Sequence, residues 1–295
     1  MYRLFALALI SMLVNAAELT IDHVSVAGRD VKAMQSKLAA AGILSEYGGP
    51  HKNHATEMAL TSFPDGSYLE LIALQPNADP AAVAAHVWSK KLQEDGGPCA
   101  WAARPKDMAA EVKRLQAVGI KVSMPERAGR ERPDGTRLDW ETAQIGSEPN
   151  GTFFPFLIHD FTPRAARAFP GGKPLVKNIS GVVRVVIAVR NLDEATKRYR
   201  AAYQLTEPIR QVDQSFGAHL ALVGGTPVVL AAPLNAESWL NERLDRFGEG
   251  PCAFVLGAKP SARYHAASKT RWFGTDISWF DADALGWRLG FESVP

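Results

Sequence analysis

The chain has 295 residues, of which 46% are hydrophobic and 22% are charged, so it carries enough apolar material for a folded core. Its 33 lysines and arginines against 31 aspartates and glutamates leave a net charge of +2, and no basic run or basic–aromatic stripe occurs. This balance gives no electrostatic basis for nucleic-acid binding and favours a protein that acts on small molecules or other proteins.

Residues 1–17 differ from the rest of the chain. Arg3 precedes an apolar run from Leu4 to Val14, and small residues follow, with Val14 and Ala16 placed as a −3/−1 pair. The run is shorter than the roughly 20 residues that span a bilayer as a helix. The pattern predicts a secretory signal peptide rather than an uncleaved anchor. We therefore expect a periplasmic or secreted protein, with no membrane association after cleavage.

Internal repeats organise the remaining residues. The segment "HVSVAGRDVKAMQSKLAAAG" (23–42) aligns with "RVVIAVRNLDEATKRYRAAY" (184–203), and "GPCAW" (97–101) matches "GPCAF" (250–254). The order is therefore unit A, unit B, unit A′ and unit B′. The two cysteines, Cys99 and Cys252, occupy equivalent positions in this scheme, and we expect both to be buried free thiols rather than a disulfide.

Each unit is expected to open with a strand followed by a helix. Asp30, Asp107 and Asn191 stand at helix N-cap positions, and Gly42 and Gly119 stand just beyond two helix ends. Alternating segments follow in the more complete units, namely "EMALTSF", "GSYLELIAL", "LDWETAQI", "TFFPFLI", "AHLALVGG" and "TPVVLAAP". The pattern predicts an α+β fold of tandem βαβββ units.

The Pro-, Gly- and Arg-rich segment "TPRAARAFPGGKP" (162–174) is typical of a linker. We place a first domain at 18–165, a linker at 166–177 and a second, degenerate domain at 178–295.

Paired βαβββ units resemble the vicinal oxygen chelate superfamily, which includes glyoxalase I, extradiol dioxygenases and bleomycin-resistance-type binding proteins. The first half is more narrowly similar to the glyoxalase-like domain family, through "GGPH" (48–51), "DGSYLELIA" (65–73), "RPDG" (132–135) and "PFLI" (155–158). The resemblance implies that each pair of units curls into a cup-shaped barrel. The sequence leaves open whether the units pair within one chain or between chains. Pairing between chains would make the protein a homodimer.

The resemblance assigns metal-ligand positions to the first and fourth strands of a unit, which in unit A are His23 and Glu70. Strand alternation agrees with this assignment. It places Ile21, His23 and Ser25 on one face of the first strand, and it places Tyr68, Glu70 and Ile72 on one face of the fourth strand. Such donors suit Zn, Fe, Mn or Ni. His51, in the "GGPH" loop, is a candidate further ligand, or else a solvent-facing histidine. A hydrogen-bonded His23–Glu70 pair without metal is the alternative.

The other units depart from this ligand pattern. Unit B offers Ala100 and Pro155 at the equivalent positions, and unit A′ offers Arg184 and Val229. One half-site therefore remains among the four units.

Four residues are candidates for substrate contact, and two carboxylates are candidates for proton transfer. Tyr68, Trp101 and Trp140 are expected either to line the pocket or to pack in the core. Arg132 either holds a substrate carboxylate or belongs to the "RPDG" turn with Asp134. Glu70 and Asp134 are the carboxylates placed to move a proton.

Two functions follow from this pattern. The first is a divalent-metal-dependent lyase, isomerase or dioxygenase acting on a small oxygenated substrate. The second is a small-molecule-binding protein without catalysis, which the lost ligands of unit B and unit A′ favour.

Overall fold

The computed structural model describes residues 19–132 and 134–294, which form two eight-stranded sheets, one in each half of the chain. The predicted signal peptide, residues 1–17, lies outside the described residues and stays a prediction. Within the described ranges, no helix combines the length and apolarity needed to cross a bilayer.

The first sheet joins units A and B in the order β2-β3-β4-β1-β5-β8-β7-β6. Its strands are β1 (Ile21–Gly28), β2 (Glu46–Pro50), β3 (Thr56–Ser62), β4 (Tyr68–Leu74), β5 (Gly97–Ala103), β6 (Glu126–Glu131), β7 (Arg137–Gln144) and β8 (Phe156–Asp160). The central strand β1 runs parallel to β4 and antiparallel to β5. The units therefore pair within one chain.

The second sheet repeats this order as β10-β11-β12-β9-β13-β16-β15-β14. Its strands are β9 (Ile179–Ala188), β10 (Ile209–Asp213), β11 (Ala218–Leu222), β12 (Val228–Pro233), β13 (Gly250–Ala258), β14 (Ser268–Trp272), β15 (Thr275–Trp279) and β16 (Arg288–Ser293). The predicted α+β fold of two cup-shaped sheets built from tandem modules is confirmed.

The helices are short and cover the sheets. They are α1 (Val31–Ala40), α2 (Pro80–Ala85), α3 (Ser89–Gln93), α4 (Met108–Ala117), α5 (Arg164–Ala168), α6 (Leu192–Tyr203), α7 (Trp239–Phe247) and α8 (Ala282–Leu285). Asp30, Asp107 and Asn191 accept hydrogen bonds from backbone N–H groups of the helices that they precede, as predicted. Gly42 and Gly119 follow α1 and α4 with φ of 84° and 79°, the left-handed conformation that favours glycine.

Unit B′ corrects the expectation that every unit has a helix after its first strand. Between β13 and β14 the chain forms a turn, closed by the Ala262 N–H on the Lys259 carbonyl, and then an irregular segment. Pro260 lacks the N–H that a helix interior needs, and the segment has no apolar repeat at helical spacing.

The largest apolar core lies between the helices and both sheets. Val24 of β1 and Leu69 of β4 meet Val185 of β9 and Phe254 of β13 in one cluster, so the halves share a core. Ile21 also joins this cluster, which corrects its assignment to the His23 face. The register of β1 against β5 shifts between Ile21 and His23, and this irregularity breaks the simple alternation of faces.

A partly buried arginine also joins the two halves. Arg243 of α7 donates to the carbonyls of Gly96 and Pro98 in the first half and of Pro251 in the second. Because these partners are backbone atoms, the contact depends on the two sheets keeping their relative position.

The cup of the second sheet is filled by side chains. The ring of Phe216 lies 4.9 Å from that of Trp272 and 5.2 Å from that of Trp279, and Leu240 and Leu244 of α7 pack in the same cluster. Cys252 belongs to this cluster, whereas Cys99 belongs to a small apolar cluster of the first half, with Ile72 and Leu92. Both are free, as predicted, and burial raises the pKa of each thiol to about 12.

Candidate functional site

The cup of the first sheet holds a cavity of about 370 Å³. Apolar and aromatic walls come from Met58, Leu60, Tyr68, Ile72, Trp88, Trp140, Phe156 and Ile158. The chemically active side chains at the cavity are His23, His51, Lys52, Glu70, His86, Arg130 and Arg167. A mostly apolar cavity with a few polar groups is the usual form of a small-molecule site.

His23 of β1 is held from two directions. Its Nδ1 lies 2.6 Å from Oδ1 of Asp22, the preceding residue. Its ring stacks on that of Tyr68 at 4.7 Å with an interplanar angle of 4°, and Phe156 meets it edge-on at 5.4 Å. Adjacent side chains on a regular strand face opposite ways, so the Asp22–His23 contact depends on the strand irregularity at this point.

The side chain of Asp22 is fully buried. Burial alone raises the pKa of this carboxyl, but Arg167, the hydrogen bond and charge of His23, and Arg164 together hold it well below its usual range. Asp22 therefore stays ionised at neutral pH. An ionised carboxylate only accepts hydrogen bonds, so His23 Nδ1 carries the proton and Nε2 is left for a molecule in the cavity.

Both arginines that bind Asp22 come from α5, which begins in the segment read as a linker. Arg167 donates to Oδ1 and Oδ2 of Asp22 at 3.0 Å each, and also to the Tyr68 hydroxyl at 2.7 Å and to Asp160. Arg164 bonds Asp22 and the Gly66 carbonyl. Within the predicted linker 166–177, Arg167 and Ala168 are thus buried parts of the site.

Glu70 of β4 is the second acidic group. Ser25 donates to its Oε2 at 2.8 Å, and His51 Nε2 lies 3.9 Å from its Oε1. The other nitrogen of His51, Nδ1, bonds the Thr56 hydroxyl at 2.8 Å. Burial lowers the pKa of His51, although the charge of Glu70 opposes this and Arg130 adds to it. His51 is therefore a neutral side chain beside a carboxylate.

The predicted ligands do not assemble into a three-donor metal centre. Among the described residues, no three His, Cys, Asp or Glu side chains are grouped to hold an ion. Glu70 and His51 approach each other, while His23 is engaged by Asp22 through one nitrogen. A resident metal commonly has three or four protein ligands, so the donors present do not fit one.

Five of the predicted site residues line the cavity together: His23, His51, Tyr68, Glu70 and Trp140. Trp101 instead lies fully buried in the core shared by the two halves. Strand alternation explains this, because Ala100 and Ala102 of the same strand face the cup side.

The "RPDG" turn serves α5 rather than the cavity. Arg132 donates to the carbonyls of Ala166 and Pro170 and pairs with Asp134 at 2.9 Å. The Asp134 side chain is 52% exposed and accepts from the Thr136 N–H. Neither residue lines the cavity that holds His23. Their contacts agree with the turn considered from the sequence, and not with substrate binding by Arg132 or proton transfer by Asp134.

Sequence reasoning missed Asp22, His86, Arg130 and Arg167. The adjacent "DH" of β1 was a visible signal for Asp22, since an acid beside a functional histidine often fixes its tautomer. His86 lies in a loop, Arg130 on an edge strand and Arg167 in the predicted linker. No local sequence pattern shows that these segments approach the cup.

The sequence matches the family model described as a glyoxalase-like domain over residues 21–203. This range takes in the whole first sheet and continues through β9 and α6. No curated protein matches the chain.

Solved structures give the fold. A hypothetical protein from Staphylococcus aureus matches with a TM-score of 0.63 and 14% identity, over 94% of this chain and 100% of its own. Methylmalonyl-CoA epimerase from Mycobacterium tuberculosis matches with a TM-score of 0.35 and 19% identity, over 40% of this chain and 91% of its own. Since the family model matches most of the chain, the protein belongs to the glyoxalase-like domain family.

Proposed function

We propose that the first half of the chain is an enzyme that moves a proton on a small oxygenated substrate, as an isomerase or a lyase does. The observation that carries the proposal is the 2.6 Å contact between Asp22 Oδ1 and His23 Nδ1 at the wall of the cavity. A buried carboxylate behind a histidine is an arrangement that prepares the histidine to act as a general base.

The roles follow from the contacts of His23. Asp22 holds the proton on Nδ1, which leaves the lone pair of Nε2 to accept a proton from the substrate. The imidazolium that forms is then stabilised by the Asp22 carboxylate. Stacking on Tyr68 fixes the plane of the ring, so the direction of proton transfer is set before the substrate binds.

The charge that develops on the substrate also has partners. Removal of a proton beside a carbonyl leaves an oxyanion, and Arg167 lines the same cavity as a nearby positive charge, although its N–H groups are all bonded to Asp22, Asp160 and Tyr68. Arg167 is buried, where its charge acts more strongly than in water. The His23 imidazolium then returns the proton at a different position of the substrate, which restores the starting state of the protein.

Divalent metals are frequent in the vicinal oxygen chelate superfamily, which the sequence resembles, and the sequence pattern predicts a metal ion at His23 and Glu70. His51 Nε2 and Glu70 Oε1, 3.9 Å apart, are the pair best placed to contribute to an ion. Two donors give weak binding unless the substrate or water supplies more, so no step is assigned to a metal.

A second candidate is binding without turnover. The wide apolar walls of Met58, Leu60, Trp140, Phe156 and Ile158 favour it, because they would hold an apolar or planar ligand without chemistry.

Proton exchange in heavy water separates the two candidates. The protein is incubated in D2O with a panel of small 2-oxo and 3-oxo acids, and loss of the proton signal beside the carbonyl is followed by NMR. We expect exchange with at least one acid, and a loss of about 10²- to 10⁴-fold in His23→Ala. His219→Ala, which changes an exposed histidine of β11, is the matched control and should exchange at the wild-type rate.

Two outcomes would contradict the proposal. Exchange that His23→Ala leaves unchanged would remove His23 as the base. Saturable binding of an acid whose proton never exchanges would favour the binding function. Metal analysis of the same preparations, with Glu70→Gln and His51→Ala alongside, tests the metal separately.

A further inference from the structure

A second cavity of about 310 Å³ adjoins the site on the β6–β7 side. We call it the annex, and it is lined by Lys52, Arg127, Ala128, Gly129, Arg130, Glu131, Arg137, Asp139, Trp140 and Phe161. Lys52, Gly129, Arg130 and Trp140 line both the annex and the site cavity. A molecule bound in one cavity is therefore in reach of the walls of the other.

The annex is positively charged. Its lining includes four cations, Lys52, Arg127, Arg130 and Arg137, against the two acids Glu131 and Asp139, which is a difference of 4 − 2 = +2. Arg137 is the cation that pairs with Asp139, at 3.0 Å. Within the described ranges, the other three cations form no ion pair with a carboxylate.

Two of these three cations are exposed, and one of the two is held by a ring contact. Arg127 lies over the ring of Phe161, with its guanidinium carbon 4.2 Å from the ring centroid. Lys52 is exposed at the mouth of both cavities. Exposed cations alone are ordinary solvated surface and do not indicate a ligand.

Arg130 is the residue that points to a ligand. Its side chain is 7% exposed, and its one hydrogen bond among the described residues is from Nη1 to the Gly48 carbonyl at 2.7 Å. A guanidinium has five N–H donors, and a buried charge without an opposite charge is strongly unfavourable. Burial lowers the pKa of Arg130, and the charge of Glu70, which is not in ion-pair contact with it, opposes this. An anion between the cavities would satisfy the remaining donors.

We infer that the annex binds an anionic tail, a carboxylate or a phosphate, on the substrate whose reacting end lies beside His23. This inference rests on the proposed function and adds to it the class of substrate: an extended molecule with an oxygenated reacting end and an anionic end. Arg130 contacts the tail where the cavities meet, and Lys52 and Arg127 stabilise its charge from the outer side.

Anion binding by the whole protein tests the annex without knowledge of the substrate. Inorganic phosphate, pyrophosphate and succinate are titrated separately by calorimetry at low salt. We expect saturable binding of at least one probe, weakened about five- to tenfold by Lys52→Ala and by Arg127→Ala, and weakened further by added salt. Preference for phosphate or pyrophosphate over succinate would identify a phosphate tail, and the reverse a carboxylate.

The controls separate the annex from general surface charge and from catalysis. Lys121→Ala removes an exposed lysine outside both cavities and should bind the probes as wild type does. Arg130→Lys keeps the charge but loses the planar fork, so it should bind more weakly than wild type, with its melting temperature checked in parallel.

The inference is overturned if the wild type binds none of the three anions, or if the Lys52→Ala/Arg127→Ala double variant binds them as tightly as wild type. His23→Ala should retain anion binding while losing proton exchange. Exchange without anion binding would therefore overturn the annex alone, and anion binding without exchange would overturn the proposed function alone.

Discussion

Arg167 and Asp22 form a buried, bidentate ion pair although 145 residues separate them in the chain. The arginine lies on α5, between the last strand of the first sheet and the first strand of the second, and the aspartate lies beside His23 on the central strand. The connection between the halves is therefore part of the site. Changes in this connection should reach the histidine through Asp22.

Replacing Asp22 by asparagine should reduce both activity and stability. The amide does not stabilise an imidazolium, so proton exchange should fall by at least about 10²-fold. Arg164 and Arg167 keep Asp160 as a partner but lose the carboxylate of Asp22, which should lower the free energy of unfolding by up to about 3–5 kcal/mol. Urea unfolding followed by fluorescence measures this. Adding Arg167→Met should recover part of the loss, and a double variant no more stable than Asp22→Asn would contradict the pairing.

The same aspartate predicts a pH dependence of stability. Its pKa when folded lies well below the ordinary value of 3.8, so the unfolded chain binds this proton first as pH falls. The contribution of Asp22 is therefore fully present above about pH 5 and is lost as pH falls through and below 3.8 toward the folded pKa. Urea midpoints between pH 6 and 2.5 should fall more steeply for wild type than for Asp22→Asn. Parallel curves would show that Asp22 is not the group responsible.

Arg132 and Asp134 offer a matched pair, because the structure gives them unequal roles. Arg132→Ala removes the hydrogen bonds to the carbonyls of Ala166 and Pro170 and should destabilise the protein by about 1–3 kcal/mol. Asp134→Ala changes an exposed side chain and should leave the unfolding midpoint unchanged. If Arg132→Ala instead weakened ligand binding at constant stability, the substrate role considered from the sequence would be the better one.

Limited proteolysis tests the connection between the halves. Trypsin should cut first after the exposed Lys177 rather than within α5, where Arg167 is buried. Lys173 is a poor site, because Pro174 follows it. The two fragments should stay together under native conditions, because the halves share one core and Arg243 bonds both. Gel filtration of the nicked protein beside a denaturing gel measures this. Native separation of the fragments would contradict the shared core.

Export remains a prediction from the sequence. The mature chain should begin near Ala17 or Glu18, which N-terminal sequencing of protein from the periplasm or medium determines. Leu19, which follows this cleavage site, is buried in the shared core and is retained after cleavage. Recovery of soluble protein that retains Met1 would contradict the signal peptide.

Local patterns predicted the repeated units, three helix caps and the faces of Tyr68, Glu70 and Ile72, because caps and strand alternation depend on neighbours in sequence. They did not predict the Asp22–His23 contact, which depends on an irregularity in strand register. Nor did they predict Arg167, whose partner is distant in sequence. Trp101 could have been assigned correctly, since alternation from Ala100 already turned it away from the cup.

The filled second cup has a consequence for how the protein responds to ligand concentration. Phe216, Trp272 and Trp279 occupy the volume that the first sheet leaves open. A duplicated chain of this kind should therefore saturate at one ligand per polypeptide and give a Hill coefficient of one, despite its internal symmetry. Any sigmoidal response would have to arise between separate polypeptides, since among the described residues the packed side chains of the second cup leave no equivalent of the first cup.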